Sequence, residues 1–124
     1  MTWERRLNEY LLECRGRPFE YGQFDCLLFV CGAVEAMTGE NPAAHLIGRY
    51  TSQDEAEALE GMTLYQWLIR TFGSPIPPAY ARRGDIAWVN DCCAVVVGTD
   101  AIGFDDGEMC LVPMIRAKRA FRAR

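Results

Sequence analysis

Cys26 has the setting in this chain that is best suited to chemistry. It follows Asp25 in the run Tyr21-Gly22-Gln23-Phe24-Asp25-Cys26, ahead of an apolar stretch from Leu27 to Met37 that no proline interrupts. Aspartate is a strong helix N-cap, and Gly39 stands just past the last apolar residue, where a left-handed residue closes a helix. The spacing predicts a turn feeding a buried helix, with Cys26 in its first turn. A thiol there meets unpaired backbone N–H groups and the positive end of the helix dipole, both of which favour thiolate. That is the setting of a nucleophilic cysteine. The plainer alternative is a small thiol filling space under a core helix, since cysteine is among the most buried residue types.

The other thiols give no framework of their own. Cysteines stand at 14, 26, 31, 92, 93 and 110, with no Cys-x-x-Cys pair and no secretion signal at the start, so free thiols are expected. A structural metal is not expected: neighbours on a strand point to opposite faces, so Cys92 and Cys93 are poorly arranged to share one ion. No cofactor is implied. The single histidine, His45, falls in the loop after the central helix, and a general base must lie within hydrogen-bond reach of its nucleophile.

A chain of 124 residues, half of them hydrophobic and a quarter charged, is expected to form one globular domain with its own core. No stretch approaches 18 uninterrupted apolar residues, so no membrane insertion is expected, and the expectation is a soluble protein made in the cytoplasm. The net charge of −4 argues against a nucleic-acid binder. Five basic residues nevertheless crowd the end: Arg116, Lys118, Arg119, Arg122 and Arg124. A solvated last strand explains them, and contact with an acidic protein face is the functional alternative.

Two kinds of element must position Cys26. The first half reads as helical. An amphipathic helix from about Trp3 to Cys14 carries Trp3, Leu7, Tyr10, Leu11 and Cys14 on one stripe, and Arg17 to Gly22 is extended. Ala43 to Tyr50 is a loop, and capping boxes at Ser52-Gln53-Asp54-Glu55 and Thr63-Leu64-Tyr65-Gln66 open helices to about Glu60 and Thr71. The prolines of Gly73-Ser74-Pro75-Ile76-Pro77-Pro78 end this half. From Gly84 onward, short β-branched runs alternate with turns: Asp85 to Val89, Cys93 to Val97 after the turn Asn90-Asp91, and Ala101 to Phe104 and Met109 to Val112 around Asp105-Asp106-Gly107. The last strand is roughly Ile115 to Phe121. The expected fold is α+β, with a helical half (1–73) and a β half (84–124) that forms an antiparallel meander against the central helix.

Tyr21-Gly22, Asp25-Cys26 at the start of a core helix and Arg83-Gly84-Asp85-Ile86 opening a strand together resemble the NlpC-type papain-like cysteine peptidases of bacteria and phages. The Arg-Gly-Arg-Pro-Phe run at 15–19, Gly48-Arg49-Tyr50 and the basic, aromatic C-terminus resemble, within that family, a compact branch encoded in tail-gene clusters of siphophages, prophages and gene transfer agents. The resemblance implies a papain-like fold with Cys26 at the nucleophile position and Tyr21, Gly22, Asp25 and Asp91 about the cleft. It also implies a histidine base opening the strand that follows the Gly-Asp strand. Cys92 stands at that position instead.

Without that base, Cys26 loses help worth roughly a hundred- to ten-thousandfold, and the site reads as vestigial. The resemblance then implies a tail-tip or tail-assembly protein used structurally, made in the host cytoplasm and located at the virion tail tip. Its partners would be a hub, tail-tip or central fibre protein, touched by the segment Ser74 to Tyr80 and the basic C-terminus. Trp3, Trp67, Trp88, Phe72 and Phe104 exceed what a small core needs, so some are expected on the surface. Two alternatives stay open. One is an active peptidoglycan hydrolase acting during phage DNA entry, with Asp91 or His45 as an unusual base, although the chain is too short for a separate wall-binding module. The other is a module that binds a wall peptide without cutting it.

Overall fold

The computed structural model describes residues 2–124. Its first half is built from four helices. Helix α1 (Trp3–Cys14) begins at Thr2, whose hydroxyl accepts from the Arg5 N–H at 3.2 Å, and buries Leu7, Leu11 and Cys14 along one stripe. Helix α2 (Cys26–Thr38) is the buried centre: Asp25 caps it, Gly39 closes it in the left-handed conformation, and nine of its side chains are buried. An all-round apolar helix of this kind needs cover on every side. The α1 stripe supplies one, with the Tyr10 hydroxyl donating to the Phe29 carbonyl at 2.7 Å.

Helices α3 (Gln53–Glu60) and α4 (Leu64–Phe72) follow a loop that contains one 3-10 turn at Ala44–Leu46. The α4 capping box is complete, with Thr63 and Gln66 exchanging side-chain to backbone bonds. At α3 only half forms. Ser52 caps the Glu55 N–H, but the Glu55 carboxylate turns to the Thr51 N–H and hydroxyl, an equivalent set of donors one residue earlier.

The second half is a five-stranded sheet of β1 (Ile86–Val89), β2 (Cys92–Val96), β3 (Asp100–Asp105), β4 (Glu108–Pro113) and β5 (Arg119–Phe121), in the order β4-β3-β2-β1-β5. Every pairing is antiparallel. Asn90 and Asp91 both adopt positive φ, 54° and 55°, the conformation of a two-residue hairpin turn whose twist suits the strands it joins. The fold is therefore α+β.

Two expectations about the sheet are corrected. Only the first four strands form a meander; β5 returns beside β1 and closes the other edge. The last strand is also shorter than Ile115 to Phe121, because residues 114–116 form a 3-10 turn directly after Pro113 and the ladder resumes only at Arg119. That turn and the one at Pro78–Tyr80 have a use. They bring Ala81, Met114 and Ala117 onto the face of the sheet opposite α2, over Ala87, Val89, Ala94 and Val96. The β2 run can thus be apolar on both faces.

Two of the five C-terminal charges are engaged with distant residues of the chain. Arg122 Nη1 lies 2.9 Å from the buried Asp85 carboxylate, which also accepts from the Arg82 and Ala123 N–H groups. The Arg124 guanidinium sits 3.4 Å from the centroid of the Trp3 ring. Ile76 and Ala120 exchange backbone hydrogen bonds of 2.8 and 2.9 Å, so the proline-rich stretch shields the outer edge of β5. Of the five large aromatics, some of which are expected at the surface, none is exposed: Trp67 is buried, and Trp3, Phe72, Trp88 and Phe104 are half-buried. The exposed apolar side chains include Tyr80 and Ile115, 65% and 93% accessible.

Candidate functional site

The start of α2 is held by one buried carboxylate. Asp25 Oδ1 accepts from the Leu28 N–H at 2.9 Å, which caps the helix, while Oδ2 accepts from the Gly22 N–H at 3.0 Å and the Tyr50 hydroxyl at 2.5 Å. Gly22 takes φ +83°, and a Cβ there would run into the Tyr50 carbonyl. Glycine is therefore required by both conformation and space. Tyr21-Gly22, Asp25 and Gly48-Arg49-Tyr50 thus form one unit, further tied by the Gly48 N–H to the Gly22 carbonyl at 2.7 Å. Burial and the Asp25 carboxylate both push the Tyr50 hydroxyl well above the usual tyrosine range, so it stays a donor.

Cys26 therefore opens α2 in a fixed position. β2 begins across from it, and the two sulfurs of Cys26 and Cys92 are joined as a disulfide. This corrects the expectation of free thiols at these two positions. The pair is 66 residues apart in sequence and meets only because the β1–β2 hairpin delivers Cys92 over the helix start. Cys14, Cys31, Cys93 and Cys110 remain free.

Cys92 and Cys93 are also closer together than strand alternation leads one to expect. The sulfurs of Cys26, Cys92 and Cys93 lie within 4.8 Å of one another, a possible soft-metal ligand set. Pleat alternation holds from Cys93 onward, with Cys93 and Val95 under α2 and Ala94 and Val96 on the far face. It breaks at Cys92, where the chain is just leaving the left-handed turn. Against a metal there, Cys93 is fully buried and its thiol is pushed strongly up by desolvation, while its S–H points to the Cys26 carbonyl at 3.5 Å. A metal ligand must be thiolate.

Cys26 and Cys92 face an open cleft of about 570 Å³. Tyr21 and Asp91 line it, whereas Gly22 and Asp25 lie behind, supporting the helix start. The aromatic walls are Phe19, Tyr65, Trp88 and Phe104, and Glu57, Asp91 and Asp106 supply carboxylates with no lysine or arginine among the lining residues. His45 takes no part. It lies on the 3-10 turn after α2, exposed, with Nε2 2.8 Å from the Glu60 carboxylate, and is not among the cleft residues.

Sequence reasoning gave Tyr50 no role and overlooked the wall formed by Phe19, Tyr65, Trp88 and Phe104. Phe19 and Phe104 pack edge to face at 5.2 Å and Tyr65 and Trp88 at 5.0 Å, each pair joining the two halves of the chain. Such pairings leave no local spacing to detect.

Residues 1–123 match the model of a domain of unknown function, DUF6950. The chain belongs to that family. No curated protein and no solved structure matches this DUF6950 domain.

Proposed function

We propose that this DUF6950 domain is a papain-like, NlpC-type module of a phage or prophage tail that serves assembly at the tail tip and does not cut peptides. The observation that carries the reading is the closure of Cys92 on Cys26. The resemblance assigns a base to the first residue of the strand facing the nucleophile, and β2 begins at Cys92, opposite the start of the central helix. On this reading the positions of nucleophile and base face each other, with a cysteine where the imidazole would stand. As a disulfide, Cys26 has no thiolate with which to attack a carbonyl. As a thiol, it has no partner to donate a proton to the leaving amine.

The partners on this reading are a hub, tail-tip or central fibre protein. Tyr80, beyond the proline-rich stretch, and Ile115, ahead of the basic end, are the exposed apolar side chains that would meet them. The open aromatic and acidic cleft favours a second reading, the binding of a wall peptide without cleavage.

The test is muropeptide digestion under reducing conditions by wild type, Cys26→Ala and Cys92→His. No turnover by wild type or Cys26→Ala is expected, with tail assembly retained by both. Turnover by wild type that disappears in Cys26→Ala would overturn the reading.

A further inference from the structure

We propose that Cys26–Cys92 is an exchange-competent disulfide that reacts with the thiol of a basic, cysteine-bearing peptide segment docked in the cleft. The proposal rests on the position of the pair and does not need the peptidase resemblance.

The two sulfurs are unequally accessible. Cys92 is half-buried and lines the cleft, while Cys26 is 7% exposed at the first position of α2. An incoming thiolate therefore reaches Cys92 first. Its sulfur forms a new S–S bond to Cys92, the Cys26–Cys92 bond breaks, and the electron pair leaves on Cys26 as thiolate; the thiol's proton has already gone to solvent. The leaving sulfur sits at the N-terminus of a 13-residue helix, where the dipole favours negative charge, and a stabilised leaving thiolate speeds exchange. Asp25 opposes this, but its carboxylate is turned to three donors behind the helix start. A second thiolate of the same peptide then attacks the peptide's own sulfur in the mixed disulfide; the peptide S–S bond forms, the bond to Cys92 breaks, and the electron pair leaves on Cys92, which with Cys26 takes up a proton from solvent. The peptide dithiol becomes a disulfide and Cys26 and Cys92 become thiols, a balanced two-electron exchange.

The surroundings select both the site and the partner. Cys14, Cys31 and Cys93 are buried. Cys93 lies beside the pair, but burial holds it as a thiol bonded to the Cys26 carbonyl, so it does not reshuffle the bond. Cys110 lies on β4 and lines a different groove, where burial, and after it Asp105, holds its thiol up. The cleft has aromatic walls and the carboxylates of Glu57, Asp91 and Asp106, without a lining cation. A cationic peptide is attracted there and an anionic thiol is repelled.

The experiment uses the full oxidised chain with Cys110→Ser. It is exposed near neutral pH to two end-blocked peptides, one with cysteine flanked by arginines and one with cysteine flanked by glutamates, and the acid-quenched adducts are mapped by mass spectrometry. The basic peptide is expected to react about tenfold faster per thiolate at low salt, with the difference collapsing at high salt. The adduct should fall on Cys92. In the same background, the free Cys92 thiol of Cys26→Ser should capture the basic peptide when it is supplied as its disulfide with thiopyridine, which leaves as thiopyridone, and the free Cys26 of Cys92→Ser should do so about tenfold more slowly, reflecting burial of Cys26.

Reduction that occurs only when the chain is unfolded would make the bond an inert staple and overturn the proposal. So would equal rates for the two peptides, adducts mapping to Cys26, or a chain isolated with stoichiometric zinc on three thiolates. Hydrolysis of muropeptides would overturn the tail-assembly reading alone, because the exchange is scored by adducts and not by cleavage.

Discussion

Replacing Asp25 should loosen the whole start of α2, and its effect should depend on Tyr50. In Asp25→Ala the N-cap of the helix is lost, at about 1 kcal/mol. Two further donors, the Gly22 N–H and the Tyr50 hydroxyl, are left buried without the acceptor they share, at roughly 1.5 kcal/mol each. The expected destabilisation is about 4 kcal/mol, or roughly 15 °C in melting temperature for a chain of this size. Tyr50→Phe removes one bond to a charged acceptor and should cost about 2 kcal/mol. In the double variant no hydroxyl is stranded, so the two losses should fall short of their sum by about 1.5 kcal/mol. Urea unfolding of the four oxidised proteins completes the cycle. Additivity within about 0.5 kcal/mol would refute the claim that Asp25 and Tyr50 act as one unit.

Cys92→Ser should destabilise the oxidised chain by up to about 4 kcal/mol, since the bond closes a loop of 66 residues, and should leave the fully reduced chain nearly unchanged; paired denaturation curves with and without reductant check this. Glu60 is held below the ordinary glutamate range chiefly by His45, with help from the Trp67 indole N–H at 2.9 Å and from Arg70. Because the folded carboxyl titrates below the unfolded one, its stabilisation is full above the ordinary glutamate range and is lost as pH falls through the folded value. The gap in melting temperature between wild type and Glu60→Gln, followed by Trp fluorescence, should therefore shrink on acidification through that range. Gly22→Ala combines positive φ with a clash against backbone and should cost 3 kcal/mol or more, read as loss of the cooperative transition.

The helices were legible because their signals are local. Asp25 and Gly39 bracket α2, Thr63 and Gln66 bracket the start of α4, and the stripe of α1 repeats at helical spacing. The first four strands were legible for the same reason, since Asn90-Asp91 and Asp106-Gly107 announce hairpin turns. The end of the chain was not. The stretch from Ile115 to Phe121 has the composition of a strand, but its position is decided by the Arg122–Asp85 pair, the Lys118 N–H to the Trp88 carbonyl and the Ile76–Ala120 bridge. All three are long-range, and none leaves a mark on neighbouring residues.

The same division runs through the site. Cys26 could be placed from Asp25 and the apolar run alone, and Cys92 could be set across from it only through the resemblance. The meeting of their sulfurs could not be read from either. It depends on the left-handed turn at Asn90 and Asp91, which breaks the strand's alternation at Cys92, so that Cys92 and Cys93 both approach Cys26. The consequence is chemical. A base at position 92 would leave Cys26 a thiol prepared to attack, whereas a cysteine there can consume that thiol in a bond and leave the cleft with a half-exposed sulfur. Cys92→His removes the disulfide and introduces an imidazole in one step. The reactivity of Cys26 toward iodoacetamide in that variant therefore reports whether the backbone still holds positions 26 and 92 within hydrogen-bond reach. An imidazole in reach should lower the thiol's pKa and raise its alkylation rate near neutral pH well above that of Cys92→Ala. Equal rates in the two variants would mean that the two positions meet only when the bond between them draws them together.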